Sequence, residues 1–131
     1  MSGMEELREL IRTLRGGNGC PWDKKQTLES MARYLTEEAA EAVVEIEKGN
    51  ADGVCEELGD VMLIVVMLAQ IAEEQGLFDF ERVTAGINEK IIRRHPHVFG
   101  DVKVNSADEV LLNWNKIKEK EKQARLSGET P

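Results

Sequence analysis

Two cysteines, two histidines and a shortage of positive charge define much of what this chain is not. Of its 131 residues, 17 are basic and 25 acidic, a formal net charge of -8. That balance repels polyanions unless the basic groups cluster, so nucleic acid is not expected as a partner. Cys20 and Cys55 lie far apart without CxxC spacing, and no charged-then-apolar leader opens the chain; a reduced, cytoplasmic protein is expected. The longest apolar run, "VMLIVVMLAQIA" (Val61–Ala72), is well short of the roughly 20 residues that cross a bilayer, so no membrane partner is expected either. His95 and His97 share one segment, which argues against a ferritin-like di-iron site with a Glu-x-x-His on each of two helices. No G-x-x-x-x-G-K-[ST] is present, so a P-loop is absent. There is no internal repeat, low-complexity block or long linker, and the length fits a single domain over 1–131.

What the chain does have is helical patterning. Five segments carry helix signals and none alternates as a strand would, so the expected class is all-α: a compact antiparallel bundle of four to five helices. A first helix, about Met4 to Leu14, ends in the glycine-rich turn "RGGNG". Thr27 caps a second helix that stops near Gly49; a third runs from about Ala51 to Gln75, and a fourth starts after Asp79 and must end before Pro96. "SADE" (Ser106–Glu109) has capping-box spacing and opens a fifth helix, while residues 123–131 are expected to fray. Leu28, Met31, Leu35, Ala39, Ala42 and Ile46 form the expected core stripe of the second helix. The run Val61–Ala72 is apolar on all sides, and burying all of it in so small a domain requires a second subunit; a homo-oligomer, at least a dimer, is expected.

The acidic residues are not equivalent. Glu38, Glu41 and Glu45 fall on one strip beside the apolar stripe, whereas Glu37 and Glu47 point elsewhere. In the third helix Glu57 and Asp60 share a face with Val61, Ile64, Leu68 and Ile71, continuing a stripe that should be buried. An unpaired buried carboxylate costs several kcal/mol, so such groups need a cation or a strong donor. Antiparallel packing through the Gly49-Asn50 turn would set Glu38 and Glu41 opposite Glu57 and Asp60. Four hard oxygen donors without histidine or thiolate suit Mg²⁺ or Mn²⁺. Paired glutamates on a helix are ordinarily solvated, and the core-facing pair is what raises "EEAAE" above that reading.

Basic residues also recur at helical steps. Lys90 and Arg94 are four apart in "NEKIIRRHPHVFG", and Trp114 and Lys118 repeat the step. Helix-end charge explains Arg93 and Arg94 in the simplest case, and core packing explains Trp114. Carboxylates holding metal, with lysine and arginine from neighbouring helices, otherwise make a coherent polyphosphate site on which a flat aromatic stacks a base.

In order along the chain, "GCPWDKKQT", "EEAAE", "EELGD" and "INEKIIRRHPHVFGD" resemble MazG-type nucleoside triphosphate pyrophosphohydrolases, over about Gly19 to Lys118. Fifteen residues separate Glu41 from Glu57, which fits the E-E-x-x-E, spacer, E-x-x-D signature of the all-α pyrophosphohydrolases. The resemblance implies Mg²⁺-dependent cleavage of an NTP or dNTP between the α and β phosphates, in a paired helical bundle. It implies Glu38, Glu41, Glu57 and Asp60 as metal ligands, and Lys90, Arg94, Trp114 and Lys118 in substrate binding or activity. Some members carry two such domains in tandem, and only one is found here. Attack by metal-activated water, with Glu38 or Glu41 taking the proton and Glu37 or Glu45 in support, is the expected mechanism. A nucleotide-binding or sensing module that keeps the fold without turnover is the alternative. In "CPWD", Trp22 is expected to pack and Asp23 or Lys24 to reach toward substrate.

Overall fold

In a computed structural model, described here for residues 1–128, the chain is all-helical. Its elements are α1 (Gly3–Arg15), α2 (Pro21–Lys24), α3 (Leu28–Lys48), α4 (Ala51–Glu74), α5 (Phe80–Arg94), α6 (Pro96–Phe99) and α7 (Ala107–Leu126). The five long helices fall where the sequence patterns put them. The two single-turn helices were not anticipated; each starts with a proline, whose fixed φ and missing N–H suit a first helical position. Of the tail expected to fray, residues 123–126 are helical, while 129–131 lie outside the described residues.

Local chemistry sets the helix ends. Ser2 and Glu5 form a capping box on α1, as Thr27 and Ser30 do on α3. The α7 cap differs from the reciprocal box expected of "SADE". Ser106 Oγ accepts from the Glu109 amide, but the Glu109 carboxylate accepts from the Asn105 amide, one residue before the cap. Gly49 ends α3 in the left-handed region, φ 69°, where a side chain would be strained. Asn50 then caps α4 through the Gly53 amide.

The chain divides into two compact units, Met1–Val83 and Thr84–Pro131, so that α5 begins in the first and continues in the second. In the first unit α4 packs along α3 and against α1. Ile11, Met31, Ile64, Val66, Met67 and Ile71 form its core, with Leu7, Leu63 and Phe80 packed around them. Each such buried side chain contributes roughly 1.5–3 kcal/mol through the hydrophobic effect. Arg15 ties this unit together: its Nε and Nη2 donate to the Glu74 carboxylate at 2.8 Å, and its Nη1 donates to the Asp23 and Gln26 carbonyls. In the second unit Glu121 of α7 accepts from both Arg93 and Arg94 of α5.

The core stripe proposed for α3 needs correction. Met31 and Ala42 are buried and Leu28 half-buried, but Leu35, Ala39 and Ile46 are exposed. α3 packs chiefly against one helix, α4, so the flank of its stripe stays outside the core. The all-round apolar stretch of α4 is likewise only partly covered, with Met62 46% and Val65 38% exposed.

Candidate active site

The turn at Gly49-Asn50 reverses the chain, so α3 and α4 form an antiparallel hairpin that sets "EEAAE" opposite "EELGD". One carboxylate oxygen from each of Glu38, Glu41 and Glu57 lies within 4.8 Å of the others. Glu38 and Glu57 are half-buried and Glu41 is exposed. Asp60, half-buried one turn beyond Glu57, is near enough for its charge to act on both Glu38 and Glu57. As read from the α4 pattern, Ile64 and Ile71 on that same face are buried.

This arrangement is electrostatically unsatisfied. Glu38 Oε2 and Glu57 Oε2 are buried without a hydrogen-bond partner. Partial burial, then the charges of Glu41 and Asp60, raise the Glu57 pKa from its ordinary 4.5 to about 7. The same causes raise Glu38, to which Glu37 adds a smaller charge effect. Orphaned, hard, anionic oxygens converging from two helices are the donor set that a divalent cation such as Mg²⁺ takes. Glu45 is engaged otherwise, its Oε2 accepting from Asn50 Nδ2 at 3.0 Å in the hairpin turn.

In "CPWD", Cys20 precedes the single turn α2, which the next three residues form with Lys24. Trp22 is 43% exposed and meets the Tyr34 ring edge-on, centroids 5.7 Å apart. Lys24 Nζ donates to the Gly17 carbonyl, and the Asp23 carbonyl accepts from Arg15, so both help to shape the loop.

In the second unit Arg94 and Trp114 come together, the guanidinium carbon 5.4 Å from the indole centroid. His95 packs edge-on against the same indole at 5.0 Å. Lys90 and Lys118 are exposed. Sequence reasoning passed over Glu121, whose carboxylate binds both arginines. Its signal was spacing: Trp114, Lys118 and Glu121 recur at steps of four and three, on one strip of α7.

An all-helical chain whose hairpin gathers acidic side chains from two short motifs defines a class: an α-helical carboxylate-cluster protein. The family is identified by sequence. Residues 26–99, more than half of the chain, match the MazG nucleotide pyrophosphohydrolase domain, and the chain belongs to that family. It is 53% identical over 121 residues to the uncharacterized protein YabN of Bacillus subtilis, covering 92% of this chain and 25% of that one. It is 49% identical over 123 residues to the nucleoside triphosphate pyrophosphohydrolase/pyrophosphatase MazG of Thermotoga maritima, covering 94% of this chain and 47% of that one. The chain thus spans at most about half the length of these curated relatives. The crystal structure of a mazG-related protein from Thermotoga maritima superposes with a TM-score of 0.72 at 31% identity, covering 88% of this chain and 98% of that one.

Proposed function

We propose that this chain is a Mg²⁺-dependent nucleoside triphosphate pyrophosphohydrolase, cleaving an NTP or dNTP between the α and β phosphates to a monophosphate and pyrophosphate. The observation that carries this reading is the convergence of Glu38, Glu41 and Glu57, two of them with orphaned buried oxygens, across the hairpin of a MazG-family chain. These three and Asp60 would hold the ion, with Mn²⁺ as a substitute for Mg²⁺. When bound, the cation supplies an acidified water and neutralises charge on the phosphoryl oxygens. Glu38 or Glu41 takes the proton from the attacking water. Lys90, Arg94 and Lys118 supply cations for the polyphosphate, and Trp114 supplies a face on which a base stacks.

The partly exposed apolar residues of the hairpin, among them Leu58, Met62 and Val65, support a homo-oligomer, at least a dimer, because a contiguous apolar face of this kind is ordinarily covered. Nucleoside triphosphates are cytoplasmic metabolites, and the protein acts there in this reading.

The test is incubation with Mg²⁺ and a panel of NTPs and dNTPs, resolving pyrophosphate from orthophosphate. Pyrophosphate release is expected. Binding without product would favour the sensing module, and orthophosphate alone would point to a different phosphatase. Glu41→Ala and Asp60→Ala should each lower turnover by at least about a hundredfold, since even outer partners of a metal site cost 10- to 100-fold. Both variants should remain folded, because removing either charge relieves repulsion in the cluster; a folded variant with full activity would sink the site assignment.

A further inference from the structure

Glu121 is the one acidic residue buried as a whole among the described residues, 4% exposed. Arg93 Nε donates to its Oε2 at 2.8 Å. Arg94 approaches with the two donors of one edge: Nη2 donates to Oε1 at 2.9 Å, and Nε donates to Oε2 at 3.4 Å. Arg94 Nη1 has no hydrogen-bond partner among the described residues, and the indole of Trp114 lies beside the guanidinium. A bidentate carboxylate fixes the plane of a guanidinium, which otherwise rotates on a flexible stem. The Nε–Nη2 edge of Arg94 is thus anchored, and Nη1 is left unpaired among the described residues on a side chain that is 17% exposed. The geometry also joins two strips, because Lys90 and Arg94 lie four apart on α5, while Trp114, Lys118 and Glu121 share one strip of α7.

We infer that Glu121 is a positioning residue for substrate: it clamps Arg94 by Nε and Nη2 so that the Nη1 edge, steadied by Trp114, is presented to a phosphate oxygen of the nucleoside triphosphate. The inference rests on the proposed hydrolase reading for its ligand. Glu121 touches no substrate itself, and its effect passes through Arg94. It should therefore change binding more than the chemical step, raising KM with kcat little altered.

The experiment uses the full chain with Mg²⁺ and an α,β-methylene nucleoside triphosphate, which resists cleavage at the scissile position. Affinity is measured calorimetrically for the wild type, Glu121→Gln, Arg94→Ala and the double variant, each checked for helicity. A charge-assisted contact of this kind is worth roughly tenfold in affinity, so Glu121→Gln and Arg94→Ala should each weaken binding by about that factor. The double variant should be no weaker than Arg94→Ala alone. A merely structural role would not produce that coupling. If Glu121→Gln fails to fold, Glu121→Asp keeps the charge while drawing the guanidinium back, and should weaken binding in the same direction. Unchanged affinity in a folded variant would overturn the inference, as would equal weakening in the Arg94→Ala background. So would absence of wild-type binding, which removes the ligand to be positioned. Wild-type binding without pyrophosphate release from the natural triphosphate would overturn the hydrolase reading alone and leave the positioning role intact.

Discussion

Cation binding to the carboxylate cluster should release protons, and the amount is set by Glu57. A metal ligand must be deprotonated, so any proton on Glu57 has to leave when the cation arrives. With its pKa at about 7, Glu57 is about 90% protonated at pH 6 and about 10% at pH 8. Mg²⁺ binding should therefore release close to one proton from this group at pH 6 and about a tenth of one at pH 8. The apparent affinity should improve about tenfold over the same interval, before any contribution from Glu38, whose pKa is also raised and which steepens the loss on the acid side. The sign for folding is opposite. The folded-state pKa lies above the ordinary 4.5, so metal-free stability is fullest below that value and is lost as the pH rises towards about 7. Added Mg²⁺ should consequently raise the Tm more at pH 8 than at pH 6. Calorimetric titration of Mg²⁺ in two buffers of different ionisation enthalpy measures the released protons directly, and Glu57→Gln should remove most of the release at pH 6. Proton release below about 0.2 at pH 6, or an affinity independent of pH between 6 and 8, would refute this account of the cluster.

Two further perturbations probe the frame around the site. Arg15→Ala removes the side chain that joins α1 to Glu74 and to the loop carbonyls of Asp23 and Gln26. Its own side chain is 7% exposed but Glu74 is 39% exposed, so solvent screening limits the ionic part and the loss should be about 2 kcal/mol, measured by urea unfolding. Gly19→Ala should destabilise by a comparable amount, on the order of 2 kcal/mol. A Cβ at that position would lie 2.1 Å from the Leu14 carbonyl oxygen, a backbone atom that cannot swing away. A Gly19→Ala variant with an unchanged unfolding midpoint would show that the turn before α2 yields more easily than its contacts indicate.

What was legible in the sequence was whatever is enforced locally. Thr27, Gly49, Asn50 and Ser106 act within a few residues of themselves, so the ends of α3, α4 and α7 follow from helix-capping chemistry alone. The carboxylate cluster was legible for a related reason. The steps Glu38–Glu41 and Glu57–Asp60 are local spacings, and one short turn is enough to bring Glu38 and Glu41 to Glu57, with the charge of Asp60 acting from one turn further on. Arg15 is the opposite case: its partner Glu74 is 59 residues away, and a lone arginine before a glycine-rich turn carries no mark of the partner it reaches. The exposed Leu35 and Ile46 belong with Arg15, because periodicity identifies the apolar flank of a helix but not whether another helix covers it. Glu121 falls between these extremes. Its register with Trp114 and Lys118 was readable, but the two arginines that pair with it lie 27 and 28 residues away. In a chain so rich in acids, spacing alone could not separate this carboxylate from the solvated ones. The acids that matter here are those whose charge the fold must answer: Glu121 by two guanidinium groups within the chain, and Glu38 and Glu57 by nothing among the described residues.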